Sequence, residues 1–134
     1  SGAAVTLTSL TPDCTYSNGI FTALKGVGQC ALAYSTQATA TTAAASGNFP
    51  FILVPGTQKV VRVPTSLKKG SPKTLPSETN FGTPVTYKST VKACRIEENI
   101  IQSSKATTCL IQATAPAKEG MWKALNVTLK IRAQ

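Results

Sequence analysis

Residues 116–132 read Pro-Ala-Lys-Glu-Gly-Met-Trp-Lys-Ala-Leu-Asn-Val-Thr-Leu-Lys-Ile-Arg. Pro116 stands where a first helical residue would, behind Thr114 and Ala115 as cap positions, and its missing N–H is an orphan there in any case. Beyond it, apolar residues recur at helical spacing. Trp122, Leu125 and Leu129 share one face, and Gly120, Ala124, Val127 and Ile131 share another. The spacing predicts a C-terminal α-helix over about 116–132, with one apolar face for its own core and one for a second chain. Gly120-x-x-x-Ala124 adds a pair of small residues at a spacing that lets two helix backbones approach closely.

Upstream of this tail the chain reads as strands joined by turns. Thr, Val and Ile are plentiful, and Pro and Gly punctuate often. Gly19–Leu24, Cys30–Gln37, Phe49–Val54, Lys59–Val63, Val85–Ile96 and Thr107–Ala113 are the predicted strands. In Val85–Ile96, Val85, Tyr87, Ser89, Val91 and Ala93 alternate with Thr86, Lys88, Thr90 and Lys92, so the pattern predicts a half-buried strand with a basic outer face. Residues 35–47 are nearly pure Ser, Thr, Ala and Gln and read as a strand end running into a flexible hairpin tip. Residues 65–84, rich in Pro and Lys, read as a long loop. Strands followed by one helix predict a mainly β domain over 1–134, a small barrel or sandwich with a C-terminal helix.

Composition narrows the chemistry. The 134 residues hold 14 Lys+Arg, 5 Asp+Glu and no His, for a net charge of +9. Without His there is no Ser-His-Asp triad, Cys-His dyad or His-ligated zinc. Few carboxylates leave little for paired-acid catalysis or a carboxylate-bound metal, so the expectation is a non-enzyme without cofactor or metal. The charge clusters at Lys59, Arg62, Lys68, Lys69, Lys73, Lys88, Lys92 and Arg95, which suits either a phosphate backbone or plain solubility. The longest apolar run, Phe49–Val54, is far below membrane-spanning length. Asn126-Val127-Thr128 matches a glycosylation sequon.

Cys14, Cys30, Cys94 and Cys109 show no C-x-x-C pair. In a secreted chain they would form two disulfides, in one of three pairings. In a cytosolic chain they would be small buried hydrophobes. Cys30 and Cys109 open apolar runs inside strand-like segments, which favours buried thiols.

Several anchors occur in a familiar order. Cys14, Cys30-Ala31-Leu32-Ala33-Tyr34, Lys59-Val60-Val61-Arg62-Val63-Pro64, Cys94-Arg95-Ile96 and Gly120-Met121-Trp122-Lys123-Ala124 together resemble the coronavirus replicase subunit family called non-structural protein 9. The resemblance implies a six- or seven-stranded antiparallel β-barrel with a C-terminal α-helix. It implies a non-catalytic subunit of a viral replication-transcription complex that binds single-stranded RNA, located in host cytoplasm at membrane-associated replication complexes. Lys59, Arg62, Arg95 and Lys105 take RNA-contact positions, joined from the charge pattern by Lys68, Lys69, Lys73, Lys88 and Lys92. Gly120 and Ala124, with Val127 and Ile131 on the same predicted face, become homodimer contacts. Ser1 becomes the candidate nucleotide acceptor for the polymerase's nucleotidyltransferase domain, and Ser1 and Gln134 are the ends a coronaviral main protease would leave. The implied partners are single-stranded RNA, a second copy, the viral RNA-dependent RNA polymerase and other replicase subunits. Tyr87, Phe81, Tyr34 and Phe49 are aromatics available for base stacking or for the core.

Two other readings use the same strands. In one, the chain is a secreted, disulfide-bonded β-domain of pilin-like or effector type, with all four cysteines bridged. In the other it is an oligomerisation module, and the basic segment serves solubility alone.

Overall fold

The structure, a computed structural model, describes residues 3–134. Twelve strands form four small sheets, and no helix is present among the described residues. The chain divides into two compact units, Ser1–Gly56 and Thr57–Gln134.

In the first unit, β1 (Val5–Ser9), β4 (Gly28–Thr36) and β5 (Ala45–Leu53) form an antiparallel sheet in the order β1-β4-β5. Between β1 and β4 the chain makes a separate hairpin, β2 (Cys14–Ser17) and β3 (Ile20–Ala23). Asn18 and Gly19 turn that hairpin with φ of 50° and 79°, the left-handed pair that the twist of a two-residue hairpin demands. Cys14 at the hairpin's base is bonded to Cys30 on β4 and clamps the two sheets together. The Ser/Thr/Ala-rich stretch supplies the β4–β5 turn, and β5 begins inside it at Ala45.

The second unit repeats this plan. Here β8 (Thr86–Ser89), β11 (Thr108–Ala115) and β12 (Leu125–Ala133) form the antiparallel sheet. The hairpin of β9 (Cys94–Glu97) and β10 (Ile100–Ser103) lies between β8 and β11 in sequence, and Cys94 is bonded to Cys109 on β11. The registers correspond residue by residue. Ser9 faces Leu32 as Ser89 faces Ile111, Cys14 faces Ala23 as Cys94 faces Ser103, and Cys30 faces Phe51 as Cys109 faces Ile131. Even the linking hydrogen bonds match. The Leu10 N–H donates to the Ala31 carbonyl at 2.9 Å, and the Thr90 N–H to the Leu110 carbonyl at 3.0 Å.

The second unit has one further part. Its leading segment supplies β6 (Ser66–Leu67), parallel to the end of β12, and β7 (Lys73–Thr74), antiparallel to β10. Leu67 and Leu75 from this segment join Tyr87, Ile101, Ile111 and Ile131 in one buried cluster.

Five expectations are corrected. The tail forms β12 instead of a helix. Leu125, Val127, Leu129, Ile131 and Ala133 alternate with Asn126, Thr128, Lys130 and Arg132, and this period of two prevails because β11 offers eight consecutive pairing positions along it. Pro116 precedes a turn at 118–122, closed by the Lys118–Trp122 bridge. Nor do the strands close into a six- or seven-stranded barrel; they remain four separate sheets. Lys59–Val63 is not a strand, since Arg62 adopts φ 60°, which breaks extended pairing. The single strand predicted over Val85–Ile96 is two, β8 and β9, separated by a turn, although its inward and outward alternation holds through Lys92. The predicted loop 65–84 carries β6 and β7.

Candidate interaction surfaces

The net charge of +9 lies entirely in the second unit, because the first holds only Lys25 and Asp13. Those two form an ion pair at 2.7 Å. Every predicted basic site residue is exposed: Lys59, Arg62, Lys68, Lys69, Lys73, Lys88, Lys92, Arg95 and Lys105. The fold gathers them into more than one group.

The first group surrounds Ser66. Arg132 pairs with Ser66 across β12 and β6, and the Lys73 ammonium donates to the Ser66 carbonyl at 3.1 Å. Lys68 lies two residues beyond Ser66, and the Lys69 N–H donates to the Gln134 carbonyl. Lys88 stands on the same outward face of the sheet, in a row with Gln112 of β11 and Thr128 of β12. Lys130 stands one row along, beside Leu110. The outward positions of β8, β11 and β12 carry no carboxylate. Lys130 and Arg132 were not among the predicted contacts. Alternation along β12 aligns them with Lys88 across β11.

A second group sits at the base of the β9–β10 hairpin. The Ser104 N–H donates to the Ala93 carbonyl at 2.9 Å, which brings the Lys92 turn beside the Lys105 loop. Arg95 is part of neither group as a free charge, since it pairs with Glu97 at 2.6 Å. Lys59 and Arg62 lie on the segment leading into β6. The Lys59 N–H donates to the Asn80 side-chain oxygen at 2.7 Å, which fixes backbone and leaves the ammonium outward.

The predicted dimer contacts are dispersed. Gly120 lies in the 118–122 turn with φ 68°, Ala124 is exposed just before β12, and Val127 is exposed on that strand. Ile131 is 0% exposed, sealed inside the second unit's core. No helix face unites them. Gln134 is tied into the sheet, its N–H donating to the Leu67 carbonyl at 3.0 Å. Ser1, named as nucleotide acceptor and processed end, lies outside the described residues.

The aromatics divide in the same manner. Tyr87 is core, and burial raises its phenol above the ordinary value. Tyr34 and Phe49 stack on each other with centroids 5.0 Å apart, as Phe81 and Trp122 do at 5.1 Å, with the Lys118 ammonium 5.3 Å from the Trp122 ring. A groove of 470 Å³ runs between Val85–Tyr87 and Ile96–Asn99. Its one carboxylate is Glu98, and its Asn99 amide donates to the Leu75 carbonyl at 3.0 Å.

Both disulfides are intramolecular, and no described cysteine is free. This corrects the expected host-cytoplasmic location. Reducing pools in cytosol keep thiols open, whereas stable structural disulfides belong to oxidising, extracellular settings. A signal that the sequence reading missed is the recurrence of Ser-x4-Cys at Ser9–Cys14 and Ser89–Cys94, each followed by a second cysteine after a similar gap.

No known protein family and no curated protein matches the sequence. Among solved structures, the chain is similar to domains 4 and 5 of the S-layer protein SbsC, with a TM-score of 0.40 and 14% identity, over 96% of this chain and 70% of that one. At that level the likeness defines neither fold nor function.

Proposed function

We propose that this chain is a non-catalytic, disulfide-stapled β-module of an oxidising extracellular setting, whose work is done by its sheet faces and strand edges. The observation that carries this reading is the pair of disulfides, each placed between a hairpin base and the central strand of the adjoining sheet, once in each unit. A staple at the same topological point twice is what a small β-unit with a modest core needs to hold its shape outside the cell. The absence of histidine from the sequence accords with a role in interaction. The experiment is a thiol count on denatured, unreduced protein recovered from the cell that makes it. No reactive thiol is expected, and peptide mapping should return Cys14–Cys30 and Cys94–Cys109. Four reactive thiols would overturn the reading.

A second reading rests on the basic outward face around Ser66 and Lys88. Lys68, Lys73, Lys88, Lys130 and Arg132 suit a phosphate-bearing polymer, single-stranded RNA included. Binding to a single strand would weaken with salt by roughly 0.7 in log affinity per phosphate neutralised, per decade of salt. Changing Lys68, Lys73 and Arg132 to Gln should flatten that slope; an unchanged slope removes this face from the contact.

A further inference from the structure

The two units arrange the same strands around the same disulfide, yet only the second closes its core. There, β6 borders Arg132 and Ala133, β7 borders Ile100 and Ile101, and Leu67 and Leu75 descend onto Ile101 and Ile131. Both isoleucines are 0% exposed. In the first unit the register puts Phe21 at the position of Ile101 and Phe51 at that of Ile131. Their rings lie 5.4 Å apart and are left open to solvent, 38% and 43% exposed. Among the described residues, β3 and β5 carry no strand on the sides where β10 and β12 carry theirs. Two large rings and two unpaired backbone edges thus stand where the second unit is covered by one extended segment.

We propose that the Phe21–Phe51 face with the free edges of β3 and β5 is an acceptor site for an extended polypeptide segment of the Ser66–Leu75 kind. The segment lays one short stretch parallel to β5 beside Ile52 and Leu53, and another antiparallel to β3 beside Ile20 and Phe21. One aliphatic side chain from each stretch seats on the two phenylalanines. An extended segment fits better than a flat apolar surface because both edges present backbone N–H and C=O groups that only another backbone satisfies in register. The glycine turn that links the two stretches in the second unit, Gly70 at φ 76°, shows that a single continuous segment can reach both edges.

The test is a full chain in which residues 1–4 are replaced by a second copy of residues 57–84. The copy is joined to Val5, which occupies the position of Val85. Hydrogen exchange is followed on peptides covering Ile20–Ala23 and Ala45–Leu53, with the second unit's own peptides confirming that the chain is folded. Exchange at the outer amides of β3 and β5 should slow by about tenfold or more. The same graft carrying Ser in place of the copied Leu67 and Leu75 should lose that protection. Unchanged exchange in the first graft, or full protection in the Ser-bearing graft, would overturn the proposal. Dimerisation of the unextended chain with these amides already protected would also overturn it, by assigning the face to a second copy.

Discussion

The Tyr87 hydroxyl donates a 2.6 Å hydrogen bond to the Pro76 carbonyl, so a strand residue of the main sheet fastens the segment that carries β6 and β7. Pro76 directly follows Leu75, one of the two leucines that seal the second unit's core. The bond therefore sets where that seal sits, and the buried phenol can make it only while protonated.

Removing the hydroxyl with Tyr87→Phe should cost about 0.5–1.5 kcal/mol at neutral pH. The pH dependence carries the sharper signature. Burial raises the phenol in the folded state above its unfolded value of 10.0. Below pH 10 both states are protonated and the full contribution is present. As pH rises from there through the raised folded value, the unfolded state loses its proton first and stability falls. Urea unfolding across pH 8 to about 11 should show this decline in the wild type and a shallower one in Tyr87→Phe. Equal slopes would show that the phenol does not titrate in this way.

Gln58 performs a similar task at the start of the segment. It is 4% exposed, and its amide nitrogen donates to the carbonyls of Pro116 and Lys123 at 2.9 and 2.8 Å, while its oxygen accepts from the Thr79 hydroxyl at 3.0 Å. All three bonds require an amide in one orientation. Gln58→Glu offers two acceptors to two carbonyls and should destabilise the second unit by about 2 kcal/mol or more at pH 7, with part of the loss recovered at low pH as the carboxyl gains a proton. Gln58→Leu should cost about 1–3 kcal/mol with no pH dependence of its own. Denaturant midpoints of both variants at pH 4 and pH 7 check this, and a Glu variant insensitive to pH would contradict it.

Strand positions with clear alternation were legible in the sequence, Val85–Lys92 most plainly. The tail was not, because Leu125, Leu129 and Trp122 satisfy a helical period while Leu125, Val127, Leu129 and Ile131 satisfy a period of two. Only the partner strand β11 decides between them, and that partner is a tertiary fact. The repeat was hidden for a related reason. What recurs is register and disulfide placement, while the side chains differ: Phe21 against Ile101, Phe51 against Ile131, Leu7 against Tyr87. The basic site was legible as charge but not as geometry, since Lys88 and Arg132 share a face only once β8, β11 and β12 pair.

Gly28 tests the first unit's local design. It sits at φ 104°, and a Cβ there would stand 2.9 Å from the Asp13 carboxylate oxygen. That carboxylate also holds Lys25. Gly28→Ala combines an unfavourable backbone with a displaced ion pair and should destabilise the first unit by about 1–3 kcal/mol. Exchange at β4 and β5 amides should accelerate while the second unit's β11 and β12 are unaffected. Gly19→Ala, at φ 79° with nothing within 4 Å of the added methyl, isolates the backbone component and should cost less.

The disulfides should differ in consequence although they close loops of nearly equal length, with separations of 16 and 15 residues. Loop closure of that size contributes about 3 kcal/mol in either unit. In the second unit, Leu67, Leu75, Ile101, Ile111 and Ile131 supply buried apolar side chains besides the two cysteines. In the first, the only buried hydrophobic residues among those described are Cys14, Cys30 and Leu32. The staple is thus most of that unit's core, and little apolar burial is left to offset the ordering entropy once it is gone. Replacing Cys94 and Cys109 by Ala should leave a folded second unit of lower denaturant midpoint. Replacing Cys14 and Cys30 by Ala should abolish exchange protection throughout β1, β4 and β5. Persistence of protected β4 amides in that variant would show that pairing with β1 and β5 holds the sheet without the staple.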